Sequence, residues 1–518
     1  VSVTQANRVA VIGAGIGGLT AAFELAARGV DVTIVEKGSA PGGKMREIEI
    51  GGRPIDSGPT VLTMRFVFEQ LFDDLGETLG NHVTLRPAEI LARHAWSADE
   101  RLDLFADIDR SANAIGDFSG AEEARRFRVF CARARATYET LEGPFITAGQ
   151  PTPLSLALNA GIKGFGDLWR ISPFVTLWRT LGTYFHDPRV RQLFGRYATY
   201  CGSSPFNAPA TLMLVAHVEQ SGVWLVEGGM HQLAVAIAAR AKAHGATFRY
   251  GCEAQKITVE GGRATGVILT TGETLHANRI LLNADTAALA SGLFGPEIAS
   301  AAAPVKPSSR SLSAMTFSML AEATGFPLRR HNVFFSNDYQ REFDDIFQAG
   351  RVPGAPTVYV CAQDRSAGEV EGDGAPRIER VMCLINAPPC GDRREFSTEE
   401  IERCRIRAFA QVERCGLALR TRPEATVATT PSDFNRLYPG TGGALYGQAS
   451  HGWAASFNRP TTRTKVPGLY LAGGSAHPGP GVPMAALSGR LAAATILEDL
   501  TSARPYRKAA MPGGMSMA

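Results

Sequence analysis

Val9-Ala10-Val11-Ile12 is an apolar run with no polar alternate. That pattern predicts a strand buried on both faces of a parallel sheet. Past Gly13-Ala14-Gly15-Ile16-Gly17-Gly18 the pattern becomes periodic. Leu19, Ala22, Phe23 and Ala26 recur at i, i+3, i+4 and i+7, which predicts an amphipathic helix ending at Gly29. A second apolar run, Val32–Val35, ends at Glu36. Comparable buried runs recur far downstream at Ile280-Leu281-Leu282 and Leu469-Tyr470-Leu471. Helical spacing returns at Leu233 and Ile237, after Gly228-Gly229-Met230, and at Leu487, Leu491 and Ala494, after Pro483. Between these, Thr247–Tyr250 predicts a strand, and Gln255–Val259 and Ala264–Leu269 flank Gly261-Gly262 as a hairpin.

The glycine spacing of the first turn points to a dinucleotide. Gly13 permits a tight turn, Gly15 lets backbone approach a pyrophosphate, and Gly18 lets the helix lie close to the strand. Gly17 belongs to the same loop. Glu36 stands 18 residues beyond Gly18, near the spacing of an acid that binds a ribose 2′-OH. Lys37 follows it. A nicotinamide enzyme would continue with further βα units, but here Pro41-Gly42-Gly43-Lys44 and Ile55-Asp56-Ser57-Gly58-Pro59-Thr60 come next. Glycine N–H groups and a lysine suit a loop around the pyrophosphate of a deeply buried cofactor; a glycine-rich hairpin with a solvated lysine is the plainer alternative. The C-terminal strand runs through Gly473-Gly474 to His477-Pro478-Gly479-Pro480-Gly481-Val482-Pro483-Met484 and a helix. Proline suits a first helical turn. The unpaired N–H groups and positive dipole end there would favour the negative charge of a reduced flavin.

Bulk properties narrow the class. With 518 residues, more than one domain is expected. A net charge of +3 gives no argument for nucleic acid. The eight cysteines form no CxxC pair, so neither a metal site nor a disulfide framework is expected, and a reducing cytoplasm fits. No basic-then-apolar leader precedes the first strand, and no apolar stretch is long enough to span a bilayer.

These motifs resemble the flavin-dependent amine-oxidase-like superfamily. Within it the chain is similar to the bacterial carotenoid desaturases of the phytoene desaturase type, from Val9 to about Leu500. The carriers are Val11–Leu19, Gly42-Gly43-Lys44, Asp56–Val61, Gly222-Val223-Trp224 with Gly228-Gly229-Met230, and Ala476-His477-Pro478-Gly479. Gly473–Gly489 looks most like the 1-hydroxycarotenoid 3,4-desaturases, and His94-Ala95-Trp96, Leu102–Phe105 and His331–Phe335 point the same way. The resemblance implies an α/β fold: a Rossmann-like FAD-binding domain from 1–90, 220–300 and 455–500, and a discontinuous α+β substrate domain from 91–219 and 301–454. A flexible tail, 504–518, would follow. It implies FAD held by Gly13, Gly15, Gly17, Gly18 and Glu36, with Lys37 beside it. Gly43 and Lys44 would lie on the pyrophosphate side, Gly58, Pro59 and Thr60 near the isoalloxazine, and Ala254 at the adenine. Gly474, Ser475, Val482, Pro483 and Met484 would close over the flavin. Ser475 departs from the Asp of many relatives.

The implied substrate is an acyclic carotenoid, which dissolves in lipid. Between Gly161 and Tyr200 stand Phe165, Trp169, Phe174, Trp178, Tyr184, Phe185, Phe194 and Tyr197, with six cations against two acids. Aromatics with a basic excess suit a bilayer interface. This segment is therefore expected to dock the protein peripherally on the inner or photosynthetic membrane; an ordinary helical layer is the alternative. Desaturation removes two hydrogens from adjacent carbons, with the flavin as hydride acceptor. The polyene spreads the developing charge, so no strong base is required. His217 and Glu219 are candidates, but a core histidine and a structural carboxylate at a helix end are the readings favoured for them, and a turn role serves His477 at least as well, so no catalytic acid or base is assigned. Oxygen or a membrane quinone is the expected electron acceptor. Phytoene desaturation or another carotenoid oxidation or isomerisation, amine oxidation, and a non-enzymatic prenyl-lipid escort are the rival readings.

Overall fold

The computed structural model describes residues 8–149, 174–365, 377–452, 455 and 457–502. The apolar runs form one five-stranded parallel sheet, in the order Leu469–Leu471, Arg279–Leu282, Arg8–Ile12, Asp31–Glu36, Thr247–Tyr250. The lack of alternation in Val9–Ile12 has a direct cause, because both faces are covered. Val9 and Val11 join a core with the helices Ile16–Ala27, His231–Ala243 and Val482–Ser502. Ala10 and Ile12 face the opposite core, with Ile257, Val267 and Leu289. A three-stranded antiparallel sheet, Ala254–Glu260, Arg263–Leu269 and Thr274–His276, supplies part of that second cover.

Small residues set the helix spacing. A Cβ on Gly18 would stand 2.3 Å from the Gly13 carbonyl oxygen, and one on Gly489 would stand 2.2 Å from the Gly17 carbonyl oxygen. The first and last helices of the described chain therefore meet backbone to backbone. The helix His231–Ala243 has its N-terminus held from a distance. Asp56 accepts from Met230 N at 2.8 Å and from His231 N at 3.3 Å. Burial raises the Asp56 pKa, and those two backbone donors oppose the shift. A carboxylate at this end also complements the helix dipole.

A second, mixed sheet has seven strands, in the order Ala418–Thr429, Ser313–Thr324, Ile378–Ala387, Val358–Ala362, His331–Phe334, Ile90–Ala95, Arg101–Phe105. Only the pair His331–Phe334 and Ile90–Ala95 runs parallel. Its two faces differ in use. Phe317, Cys383 and Ile385 pack against Ala408 and Val412 of the helix Thr398–Arg414. Thr316, Leu384 and Asn386, one register position away, face a cavity. Pro423 lies in the edge strand, where a missing N–H is tolerated.

Of the segment expected to dock on a membrane, residues 174–200 are described, and they include the helices Leu177–Tyr184 and Pro188–Gly195. Phe185, Phe194 and Tyr197 are buried, ring against ring, with Phe127 and Phe130. Trp178 packs on Phe206 and Tyr339 and lies under the Arg191 guanidinium. These aromatics make a packing layer because their spacing feeds one helical core. Phe174 is the exception, 67% exposed. Phe165, Trp169 and the tail 504–518 lie outside the described residues. No described helix is long and apolar enough to cross a membrane.

Candidate active site

One cavity of about 870 Å³ runs from the carboxyl ends of the parallel strands to the open face of the seven-stranded sheet. Open α/β sheets place ligands at that strand end. Gly13, Gly15, Gly17, Glu36, Lys37, Gly43, Lys44, Gly58, Pro59, Thr60, Ala254, Gly474, Ser475, Val482, Pro483 and Met484 all line it. Gly18 does not. It sits one residue deeper in the helix, and its lack of a Cβ serves packing instead.

At the strand end, Glu36 closes the glycine loop. Its carboxylate accepts from Ala14 N at 2.7 Å and from Gly38 N at 2.8 Å. Asn283, at the end of the neighbouring strand, donates Nδ2 to the Gly13 carbonyl at 3.1 Å. A Cβ on Gly17 would meet Asn283 Oδ1, the Ala485 carbonyl and Gly473 Cα within 2.8 to 3.1 Å. Three distant segments thus converge on one residue. The helix Ile16–Ala27 begins at Gly15 with no side-chain cap, leaving N–H groups turned toward the cavity end.

Two buried cations stand nearby. Lys44 donates Nζ to the Leu445 carbonyl at 2.6 Å and lies 5.3 Å from the Tyr438 ring centre. Arg459, which the sequence motifs did not single out, donates to the carbonyls of Gln448 at 2.8 Å, Tyr446 at 3.2 Å and Gly474 at 3.3 Å. Neither makes an ion pair among the described residues. Burial lowers the pKa of both, and Asp285 partly opposes this in each. Lys37 instead reaches outward to the Arg436 carbonyl at 3.0 Å. The Ser475 hydroxyl accepts from Thr286 N at 3.0 Å, which fixes its rotamer.

The other half of the cavity is apolar. Leu212, Leu214, Val215, Val218, Met382 and Leu384 line it. Acids among the lining residues are Glu36, Glu253 and Asp285, at or just beyond the carboxyl ends of the parallel strands. The Cys201 thiol is pushed up to about 11 and the Tyr446 phenol to about 12 by burial, so both stay protonated near neutrality. Glu219 is buried and accepts from Tyr197 and, at 2.9 Å, from Tyr200. His217 packs on Tyr138, and His477 Nε2 lies 2.8 Å from the Ala148 carbonyl. Neither histidine lines the cavity.

A dinucleotide loop, buried cations and a long apolar extension in one cavity agree with the sequence relationships. The model of the flavin containing amine oxidoreductases matches residues 16–497. The chain belongs to that family. A hydroxyneurosporene desaturase of Rubrivivax gelatinosus is 54% identical over 513 residues, covering 99% of this chain and 97% of the relative. A hydroxyneurosporene desaturase of Cereibacter sphaeroides is 45% identical, covering 96% and 98%. Among solved structures, a putrescine oxidase bound to putrescine superposes with a TM-score of 0.59 at 16% identity, covering 95% of this chain and 99% of that one. That likeness speaks for the fold alone, and the α/β flavoprotein fold expected from the motifs is the fold observed.

Proposed function

We propose that this protein is an FAD-dependent desaturase that introduces the 3,4 double bond into a 1-hydroxylated acyclic carotenoid. The observation that carries the reading is the single cavity joining the glycine loop to a long apolar chamber. Two desaturases of hydroxyneurosporene, close in sequence over nearly their whole length, support the substrate class.

The residues present fit FAD. Glu36 keeps acceptor capacity for a ribose hydroxyl beside its two backbone donors. The uncapped helix start and the buried charges of Lys44 and Arg459 suit a pyrophosphate. Lys44 and Arg459 lack a carboxylate partner among the described residues, and an uncompensated buried cation is costly; an anionic ligand removes that cost. Val482–Ser502 points its N-terminus into the cavity at Val482 and Pro483. That end favours negative charge on whatever lies against it.

Bound flavin accepts a hydride and is reoxidised by a separate acceptor. The chain does the rest. Its apolar walls exclude water and hold the polyene extended. Among the described residues its lining carboxylates are confined to the dinucleotide end, and none stands along the apolar half. Hydride loss would leave positive charge on the polyene, which makes the neighbouring C–H acidic enough to give its proton to a weak acceptor such as water at the mouth of the cavity.

We extend the proposal to peripheral docking on a membrane from the cytoplasmic side, with a quinone or oxygen as acceptor. The substrate's insolubility supports docking, as does Phe174, which lines the cavity and is yet largely exposed. Flotation with anionic liposomes tests it: the wild type should float and Phe174→Ser should float less. Wild-type protein that stays with the soluble fraction would contradict it. For the reaction, the FAD-loaded protein is incubated anaerobically in liposomes with 1-hydroxylated carotenoid, with and without quinone. A product two hydrogens lighter with a red-shifted spectrum is expected. An unchanged substrate under every acceptor would overturn the reading.

A further inference from the structure

A small polar recess opens off the apolar chamber. Its volume is about 30 Å³; Arg196, Thr199, Tyr339, Thr357, Tyr359 and Asn386 line it together with one apolar residue, Leu384. Arg196, Thr199, Tyr359 and Asn386 also line the main cavity, so the recess is a side chamber of it. Its volume is enough room for a water-sized group such as a hydroxyl.

The recess holds unused hydrogen-bonding capacity of both kinds. Arg196 has five N–H donors, and one of them reaches Tyr200 Oη at 3.0 Å. The Tyr339 hydroxyl is buried without a hydrogen-bond partner among the described residues. Asn386 directs Nδ2 to Glu342 at 3.5 Å, which leaves its Oδ1 as an acceptor toward the recess. Buried polar groups are rarely left unpaired. A group that both accepts and donates would satisfy them together, and a hydroxyl does both.

Charge selects against an anion. The Tyr200 hydroxyl donates to Glu219 at 2.9 Å while accepting from Arg196. Tyr197 donates to the same carboxylate. The guanidinium is therefore balanced by a carboxylate one hydroxyl away, and the recess presents oriented donors rather than net charge.

Position supplies the remaining argument. Tyr359 Oη lies 2.6 Å from Thr60 Oγ1 and 2.7 Å from His331 Nδ1. Thr60 belongs to the loop assigned above to the isoalloxazine. In a 1-hydroxylated chain desaturated at carbons 3 and 4, one carbon separates the hydroxylated carbon from the reacting pair. The group that reads the hydroxyl must then lie close to the reacting atoms, and Arg196, 5.5 Å from the Tyr359 ring centre, is one residue removed from Thr60.

We propose that Arg196 and Asn386 bind the terminal hydroxyl of the substrate in this recess and set the specificity for hydroxylated over unhydroxylated polyenes. This rests on the desaturase reading. A site built to bond a hydroxyl rejects the analogue that lacks it, because its own polar groups go unpaired.

The test uses FAD-loaded full-length protein and two probes that differ only in the hydroxyl, 1,2-dihydroneurosporene and 1-hydroxyneurosporene, whose 1,2 bond is likewise saturated. Both turnover and equilibrium binding, read from quenching of protein fluorescence, are measured for the wild type, Arg196→Lys and Asn386→Leu. The expected result is a wild-type preference for the hydroxylated probe that falls by about 10- to 100-fold in either variant. Retained FAD absorbance and circular dichroism certify the fold, and Asn386→Leu guards against collapse of the Arg196 variant. A preference unchanged in both folded variants, or equal loss on both probes, overturns the proposal while leaving the desaturase reading standing. Wild-type protein that binds the hydroxylated probe with this residue dependence but never desaturates it upholds the recess and overturns the reaction.

Discussion

Glu342 is a buried carboxyl whose pKa is pushed up to about 7 by burial, against hydrogen bonds from Thr357. Between its ordinary value of 4.5 and that of the fold, the folded chain holds a proton that the unfolded chain releases. Stability is then lost as pH rises through that window, by about 3 kcal/mol for the full shift. Glu342→Gln should flatten this decline, matching the wild type near the acid end and exceeding it at about pH 8; urea midpoints across the range check it. At the opposite end of the cavity, Glu36→Ala removes the acceptor of two loop N–H groups. FAD should bind about 10- to 100-fold more weakly, since hydrogen bonds to a charged group contribute about 1.5–3 kcal/mol; flavin titration followed by fluorescence measures it. Glu36 and the loop glycines were legible in the sequence because their spacing is a local signature. Arg459, Arg196 and Tyr359 were not. Each is an isolated side chain brought to the cavity by folding, and nothing in its neighbours' pattern marks it.

Whole elements were legible where burial alone writes the pattern. The strand Arg8–Ile12 and the helix Ile16–Ala27 follow from continuous apolar residues and then helical periodicity, because each is covered on every side. The seven-stranded sheet was not resolved strand by strand. It gathers segments from Ile90 to Thr429, and pairing across such separations is decided by packing that no short window contains. In the described part of the Gly161–Tyr200 segment, most of the aromatics point inward. Aromatic residues with cations look alike at an interface and in a helical core, and Phe185 and Phe194 chose the core. Helix crossing offers a sharp check. Gly489→Ala places a methyl 2.2 Å from the Gly17 carbonyl and should cost about 1–3 kcal/mol through overpacking. Gly80→Ala, with open space around it, should stay within about 0.5 kcal/mol of the wild type. Thermal melts of the two variants side by side decide the matter.

At the scale of the molecule, two sheets of different origin share one chamber. The parallel sheet ends in turns that hold polar and charged groups, and the mixed sheet contributes an apolar face with a small polar recess. That division assigns the cofactor's charged half to one sheet and the polyene to the other. Occupancy of the first half should stabilise the fold, by about 2.7 kcal/mol when FAD is present at about 100 times its dissociation constant. The central claim is that a 1-hydroxylated polyene reduces flavin held in this chamber. Anaerobic mixing of the FAD-loaded protein with 1-hydroxyneurosporene, without any acceptor, tests it most directly. The account predicts bleaching of the oxidised flavin bands together with the red-shifted absorbance of a polyene carrying one more double bond, in equal amounts. Flavin that stays oxidised while the polyene demonstrably binds would contradict it.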